Sequence, residues 1–351
     1  MLAARWHGQR DIRVEDVPDP GEPGPGQVRV RIEACGICGT DIEEYTHGPN
    51  IIPTSPHPLT GTQAPIVLGH EPAGRIESVG DGVDLAPGTL VAIEGNLFCG
   101  ECWHCARGEY TLCPKQAALG LMLDGGLAEF VVAPAYMCIP FDSDIPAEHA
   151  ALAEPLSVAV RAVGRGGIGP GTTVGIVGCG TIGLLLIQAA RIAGASRVVA
   201  IDKLESRLQI AVRLGADLAV TPAQGPEAAF DLTGGLGLDV TMEAAGNPAA
   251  AAAAVRLARK GGRTVLLGVF GGEVAFDMMD LLLGEKTVLA SLSHIYDSDF
   301  TTAVSLLDRR EVDVDPIVTD RIPLSDVVGG GFEALLSEPD SHLKISVLPG
   351  R

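Results

Sequence analysis

Apolar and polar residues follow two different patterns along this 351-residue chain. From residue 1 to about residue 150, short runs with strand-like alternation are separated by turns rich in glycine and proline. These runs occupy residues 27–37, 74–80, 89–95 and 128–133. Little of this part has helical periodicity, so the pattern predicts a β-rich, barrel-like domain.

The pattern changes at Pro155. An apolar strand at 173–177 is followed by a glycine turn, a helix at 182–192 and a second strand at 197–201. Strands that alternate with helices predict a parallel sheet. Further apolar runs continue the series at 238–244, 263–269 and 287–293.

After about residue 296 the chain resembles its first part in character, which predicts that this tail folds back onto the first part. It has a helical run and then two strand-like runs, at 301–307, 316–324 and 342–349. We therefore expect an α/β protein with two domains, the number that the length favours. The first is predicted to comprise residues 1–155 completed by 296–351, and the second residues 156–295.

The composition excludes several classes of partner. The formal net charge is −19, from 44 acidic and 25 basic residues, whereas nucleic acids and anionic membranes attract basic surfaces. The N-terminal segment becomes charged before any long apolar run, and no apolar run reaches the length of a membrane span, so neither a signal peptide nor a membrane segment is expected. Eight cysteines in such a chain indicate metal binding rather than disulfides, and hence the reducing cytoplasm.

Four of the cysteines share one short segment with the spacing C-x2-C-x2-C-x7-C. Four thiolates so close along the chain are typical of a structural zinc site, in which protein ligands fill every tetrahedral position. A site of this kind leaves no position for a substrate. The predicted ligands are Cys99, Cys102, Cys105 and Cys113.

A glycine-rich turn, GCGTIG, joins the first strand of the second part to its helix. Gly178 permits a tight turn, Gly180 lets a pyrophosphate approach the backbone, and Gly183 lets helix and strand pack closely. The helix start at Thr181 and Ile182 offers N–H groups to phosphates. The context predicts a dinucleotide site, and a glycine turn without a ligand is the alternative.

The second strand of this unit ends at Asp202. A carboxylate at this position accepts hydrogen bonds from the adenosine ribose and would repel a 2′-phosphate, which favours NAD over NADP. Lys203 and Arg207 weaken that preference, because cations there could receive a phosphate.

A second candidate metal site combines Cys38, His70 and Glu154. A thiolate, an imidazole and a carboxylate form a three-ligand zinc site with an open fourth position. At that position an alcohol would lose its proton more easily. Taken singly, each residue could be structural: a buried cysteine, a core histidine and a carboxylate at a helix start.

Together these motifs resemble those of the zinc-dependent medium-chain alcohol dehydrogenases, over nearly the whole chain. In order they are CGICGTD (35–41), GHEPAGRIESVG (69–80), the four-cysteine lobe (99–113), AEPLSVAV (153–160), the glycine turn with Asp202, and EAAGN (243–247). The resemblance implies a GroES-like β-barrel catalytic domain and a Rossmann-fold NAD-binding domain. It also implies a homodimer or homotetramer, with one catalytic and one structural zinc ion in each chain.

The resemblance also assigns roles to single residues. Cys38, His70 and Glu154 correspond to the ligands of the catalytic zinc. Glu71 corresponds to an adjacent carboxylate that is itself the ligand in some polyol dehydrogenases of the family, so the sequence leaves both glutamates open. Asp41 corresponds to a carboxylate that orients the zinc-bound histidine.

The proton path departs from the family pattern. Thr40 corresponds to the hydroxyl that takes the proton of the substrate alcohol. Many relatives carry a histidine three residues later that passes the proton to solvent, and here Glu43 holds that place. A carboxylate can still accept a proton, although the ordinary pKa of a glutamic acid lies about two units below that of a histidine. His47 or His57 could take over instead, although a solvent-exposed loop position is expected for both.

The proline-rich segment 46–71 is similar to the corresponding stretch of 2,3-butanediol dehydrogenases. We therefore expect an NAD-dependent dehydrogenase acting on a secondary alcohol, such as a vicinal diol or hydroxyketone. Within the same class, a polyol, sugar or amino-alcohol dehydrogenase is the alternative. A non-catalytic relative and a zinc-free reductase are the alternatives outside it.

Overall fold

The structure is a computed structural model and describes residues 1–350. The chain divides into two compact units. The first consists of Met1–Glu154 together with the chain from Ile295 onward, and the second is Pro155–His294.

Eighteen strands and ten α-helices lie within the described residues. The strands are β1 Leu2–Gly8, β2 Asp11–Asp16, β3 Gln27–Gly36, β4 Ile66–Val67, β5 Glu71–Val79, β6 Leu90–Ile93, β7 Asn96–Leu97, β8 Ala117–Ala118, β9 Phe130–Pro134, β10 Cys138–Pro140, β11 Thr173–Val177, β12 Arg197–Ile201, β13 Leu218–Val220, β14 Leu238–Glu243, β15 Ala258–Leu266, β16 Thr287–Ala290, β17 Val318–Pro323 and β18 Lys344–Leu348. The helices are α1 Gly39–His47, α2 Ala147–Ala150, α3 Ala153–Gly166, α4 Thr181–Ile192, α5 Glu205–Arg213, α6 Gly225–Leu232, α7 Pro248–Leu257, α8 Met278–Gly284, α9 Thr301–Asp308 and α10 Ala334–Ser337.

The main sheet of the first unit has the strand order β10-β6-β5-β3-β18-β17, and β9 also pairs with β3. Val28, Val30 and Ile32 of β3 are buried in the core, as expected when every second side chain of a strand points to the same face. Strand β18 runs antiparallel to β3, with Val347 opposite Cys35. The end of the chain therefore completes the sheet from which α1 departs.

The second unit is built on a six-stranded sheet with the order β13-β12-β11-β14-β15-β16, and all its strand pairs are parallel. Its central strands are almost continuously apolar, because helices cover both faces of such a sheet. Val174, Ile176 and Val198 are completely buried. A β-rich unit and a parallel α/β unit confirm the predicted fold class.

Helix α1 is an element near the candidate site that the hydrophobic pattern missed. Its buried residues are Asp41, Glu44 and Tyr45, so the helix has no apolar stripe of the kind that reveals amphipathic helices. A hydrogen bond from the backbone N–H of Cys38 to Asp41 Oδ2, at 2.9 Å, closes its first turn. Polar contacts rather than apolar periodicity therefore define this helix.

The described helices include none that is both long enough and apolar enough to cross a membrane.

Candidate active site and metal centres

Three predicted metal ligands meet between the end of β3 and the start of β5. Cys38 precedes α1, His70 immediately precedes β5, and Glu71 is the first residue of β5. Their ligand atoms all lie within 4.8 Å of one another. Thr40 is adjacent, with its Oγ1 3.9 Å from Cys38 Sγ. The sheet thus brings together segments that are more than thirty positions apart in the sequence.

Glu154 is not part of that group of converging ligand atoms. It is the second residue of α3, and its negative charge acts on Lys344 in the same region. Its carboxylate therefore belongs to the electrostatic surroundings of the site, whereas that of Glu71 lies beside Cys38 and His70.

Lys344, the first residue of β18, is a site residue that the sequence reasoning missed. Its Nζ donates to both carboxylate oxygens of Glu71 at 2.7 Å and to the backbone oxygen of Ile37 at 2.9 Å. Burial alone would lower the pKa of Lys344, but the charges of Glu71 and Cys38 outweigh it and raise that pKa. A single lysine directly before the run ISVL, in a segment with the character of a strand, was the available signal, because buried lysines are rare unless paired.

The surroundings of His70 favour a positive charge. Its Nδ1 lies 3.4 Å from Asp41 Oδ1, and both atoms are buried without a hydrogen-bond partner. Burial lowers the pKa of His70, but the nearby charges of Asp41 and Cys38 outweigh it and raise that pKa well above its usual value. An anionic pocket with a thiol and an imidazole fits a divalent cation such as zinc.

The four-cysteine lobe has the geometry of a closed zinc site. The four ligand sulfurs lie within 4.8 Å of one another, and Cys99 Sγ lies 3.5 Å from Cys113 Sγ and 3.9 Å from Cys105 Sγ. Sulfurs placed about 2.3 Å from one tetrahedral zinc lie about 3.8 Å apart. A hydrogen bond from the backbone N–H of Glu101 lowers the pKa of Cys99 to about 7. The donors therefore fit structural zinc.

The glycine turn has the geometry that a dinucleotide site requires. Gly178 has a φ of +98°, and a Cβ there would meet the backbone nitrogen of Ala245 at 2.7 Å. A Cβ on Gly183 would meet the backbone oxygen of Gly178 at 1.8 Å. Gly180 precedes α4, and a Cβ there would meet only Arg207 Nη1, at 4.0 Å. The backbone around Gly178 and Gly183 leaves no room for a side chain, so the fold requires glycine at both positions. The space over Gly180, in contrast, is open to a ligand.

The predicted cofactor residues surround this turn at the ends of β11 and β12. Asp202 is buried, and its two oxygens accept hydrogen bonds from the backbone of Cys179 at 2.7 Å and of Leu204 at 2.9 Å. Thr181 and Ile182 form the first turn of α4. Lys203 is exposed, whereas Arg207 lies beside Gly180. The region therefore carries both an anionic and a cationic group.

The candidate proton acceptors occupy different settings. Glu43 Oε2 lies 3.3 Å from His47 Nδ1, and both side chains are exposed. In contrast, His57 Nδ1 accepts hydrogen bonds from the backbone N–H groups of Leu59 and Thr60, at 3.3 and 3.4 Å. His57 therefore stabilises its own turn, whereas Glu43 and His47 form a pair that is open to solvent.

Comparisons with known proteins agree with these features. Residues 24–143 match the alcohol dehydrogenase GroES-like domain, and residues 181–309 match the family described as zinc-binding dehydrogenase. Among relatives, (R,R)-butanediol dehydrogenase of Bacillus subtilis is 35% identical over 99% of this chain and 100% of its own. L-threonine 3-dehydrogenase of Pyrococcus furiosus is 34% identical over 91% and 90%. Erythritol/L-threitol dehydrogenase of Mycolicibacterium smegmatis is 33% identical over 99% and 98%.

Solved structures of similar fold also belong to zinc-binding or alcohol dehydrogenases. The 2R,3R-butanediol dehydrogenase from Bacillus subtilis superposes with a TM-score of 0.91 and 34% identity, covering 99% of both chains. A zinc-binding dehydrogenase from Sinorhizobium meliloti bound to NADP has a TM-score of 0.88 and 32% identity, again covering 99% of both chains. With its two metal-binding sets and its glycine turn, the chain belongs to the zinc-binding medium-chain alcohol dehydrogenase family, as a zinc-dependent NAD(P) dehydrogenase acting on CH–OH groups.

Proposed function

We propose that this enzyme transfers a hydride between NAD and a secondary alcohol that carries a neighbouring hydroxyl group, such as 2,3-butanediol, with acetoin as the ketone. The observation that carries the proposal is the meeting of Cys38, His70 and Glu71 beside the hydroxyl of Thr40. The similarity to butanediol dehydrogenases over the full length supports the substrate. The names of the threonine and tetritol relatives also denote secondary alcohols with a heteroatom on the adjacent carbon.

For the catalytic zinc we propose Cys38, His70 and Glu71 as ligands, with Glu154 as a nearby carboxylate. Glu71 is favoured because its oxygen lies with the other two ligand atoms, and Lys344 balances its charge. When bound, the zinc ion would supply Lewis acidity at its open position and so make the substrate hydroxyl more acidic. Asp41 would hold the imidazole of His70 in the orientation that metal binding needs.

Thr40 is proposed to receive the proton of the substrate. Its Oγ1 lies on the metal-binding side of α1, within 4 Å of the Cys38 sulfur. A hydroxyl can accept a proton on one lone pair while it gives up its own proton elsewhere. Glu43, one helical turn further on, is the proposed next acceptor.

We infer a preference for NAD over NADP. The buried carboxylate of Asp202 at the end of β12 supports it, because a negative charge there disfavours a 2′-phosphate. Arg207 beside Gly180 and the exposed Lys203 act in the opposite direction. The open space over Gly180 and the start of α4 would accommodate the pyrophosphate.

We also infer a homodimer or homotetramer in the cytoplasm. Large apolar side chains of the second unit are exposed on α8 and in the segments just after β15 and β16, and the outer edge of β16 pairs with no other strand among the described residues. Exposed apolar side chains and an open strand edge are typical of a protein contact. None of the eight cysteines, all within the described residues, forms a disulfide bond, which supports the inference of a reducing compartment. The exposed side chains are Val269, Met278, Met279, Leu282, Leu283 and Leu292.

A spectrophotometric screen tests the proposed function. NADH and NADPH formation would be followed with the butanediol stereoisomers, simple secondary alcohols, sorbitol, erythritol and L-threonine. The expected result is the highest kcat/KM with one butanediol stereoisomer and NAD. Oxidation of polyols or primary alcohols alone would contradict the substrate, and oxidation of L-threonine alone would favour the amino-alcohol alternative.

A further inference from the structure

Three polar residues of α1 lie along one stripe of the helix. Thr40, Glu43 and His47 are separated by three and four positions, and such residues are neighbours on a helix surface. Thr40 stands at the metal-binding end of the stripe, and His47 is the last residue of the helix. The stripe thus leads from the proposed active site to the surface.

The outer two members of the stripe are in contact. Glu43 Oε2 lies 3.3 Å from His47 Nδ1, and their side chains are 51% and 71% exposed. The hydroxyl of Thr46 also lies 2.8 Å from His47 Nδ1. The two side chains are therefore exposed to water and belong to the same helix as Thr40.

The other charged groups around this helix are engaged elsewhere. Glu44 is buried and accepts hydrogen bonds from the backbone of Asn50 and Ile51. Arg10 contacts the ring of Tyr45 and pairs with Glu333.

Two further polar side chains near the pair, those of Gln9 and Asn50, are uncharged. Gln9 donates to the backbone oxygen of Thr46, and the amide of Asn50 donates to the backbone oxygen of Glu43. Asp41, buried on the other side of the helix, serves Cys38 and His70. The only acid–base pair that these contacts leave facing solvent along the stripe is Glu43–His47.

We propose that Glu43 and His47 act together as the outer part of the proton path during alcohol oxidation. This inference rests on the proposed function. The substrate C–H bond breaks and its electron pair leaves as hydride to the nicotinamide, while the O–H proton passes to Thr40. Thr40 releases its own proton, which solvent water carries to the carboxylate of Glu43. The imidazole of His47 takes that proton and releases it to buffer, which returns both groups to their starting forms.

The pair combines two properties that one group alone lacks. A carboxylate three positions after Thr40 on the same helix provides a negative charge that attracts the leaving proton. Histidine is the side chain whose ordinary titration range spans neutral pH, so it exchanges protons readily with buffer. The chain therefore replaces the single histidine of many relatives by two neighbouring groups on the same helix.

The test uses the full-length zinc-loaded enzyme with NAD and the alcohol that gives the highest rate. Wild type, Glu43→Gln and His47→Gln are compared from about pH 6 to pH 9 in weakly buffered solution. His7→Gln is the matched control, because His7 forms a similar pair with Glu15, at 3.1 Å, on the β1–β2 hairpin. Zinc content and thermal unfolding are measured for each variant, so that a loss of structure is recognised.

The expected result is a kcat about tenfold lower in both stripe variants at neutral pH and low buffer, with KM nearly unchanged. Added imidazole should restore the rate of both variants and leave that of the wild type unchanged. The solvent deuterium isotope effect on kcat should rise in both variants, because proton release becomes slower, and His7→Gln should behave as the wild type.

An unchanged pH profile and rate in His47→Gln would overturn the proposal, even if Glu43→Gln is slow, because the proton would then leave Glu43 directly. A slow variant that imidazole does not rescue would also contradict it, since that pattern indicates a structural role. If the wild type itself forms no NADH from any alcohol, the proposed function fails and this inference fails with it.

Discussion

The two metal-binding sets of the first unit are assembled in opposite ways. The four-cysteine lobe takes all its ligands from the single segment 99–113. The Cys38 site takes its ligands from the segment before α1 and from the start of β5, and it adds Lys344 from β18, which is 273 positions from Glu71. The ligands of a closed structural site can thus come from one short segment. The residues of the candidate catalytic site come from distant segments that only the folded sheet brings together.

The difference in ligands leads to a difference in chemistry. Four sulfurs at distances that suit one tetrahedral ion leave no position for a substrate. The mixed set of a thiol, an imidazole and a carboxylate leaves one position open and places a hydroxyl beside it. The second set is also surrounded by buried charges, and so its function depends on how those charges are balanced.

The largest effect is expected from Cys38→Ser. Removing one ligand of the open site should lower zinc content from two ions to one per chain and reduce kcat/KM by about 1000-fold or more. Metal analysis and NADH formation check this, with Cys138→Ala, at a buried cysteine outside both sets, as the control. Retained activity would rule out the proposed site.

A second test addresses the charge balance at the open site. Lys344→Met should destabilise the folded protein by about 3–5 kcal/mol, because it leaves the carboxylate of Glu71 buried without its partner. Denaturant unfolding of the zinc-free protein measures the change. The double variant Lys344→Met/Glu71→Gln should recover a large part of the loss, and a double variant as unstable as the sum of the two single ones would contradict the pairing.

Cys102→Ser should separate structure from chemistry. Loss of one lobe ligand is expected to release the structural zinc and to lower Tm by about 10 °C. At a temperature well below that Tm, kcat should stay within about threefold of the wild type. Loss of activity in a fully folded sample would show that the two metal-binding sets are not independent.

The smallest effect is expected from Asp41→Asn. The amide keeps the shape of the side chain but removes the charge beside His70 Nδ1. Weaker orientation of the histidine should reduce zinc affinity at the open site by about tenfold. Competition with a chelator measures this, and the affinity of the four-cysteine lobe in the same sample serves as the internal control.

The sequence predicted most of the fold because strands and helices of the second unit carry clear periodicity. The expected bounds of β11 and β12 coincide with those in the structure. The four-cysteine lobe was equally accessible, because its spacing is local. Helix α1 was not predicted, because its buried residues include the polar Asp41 and Glu44 and form no apolar stripe.

The candidate site was harder to derive from sequence because its contacts join distant segments. Periodicity could not reveal that β18 places Lys344 against Glu71, since a strand register is a property of the folded sheet. For the same reason the choice between Glu71 and Glu154 remained open. The contact between Glu43 and His47 was in principle readable from their spacing of four positions, once α1 was known to be a helix.

X-ray absorption at the zinc edge tests the central claim most directly, because it reports the ligands of both ions in the working enzyme. For the wild type we predict two zinc ions per chain, whose combined spectrum is an equal mixture of a four-sulfur site and a site with one sulfur and lighter ligands. In Cys38→Ser we predict one zinc ion with a pure four-sulfur spectrum at about 2.3 Å. A single zinc ion in the wild type, or a Cys38→Ser protein that keeps both ions with an unchanged spectrum, would contradict the account.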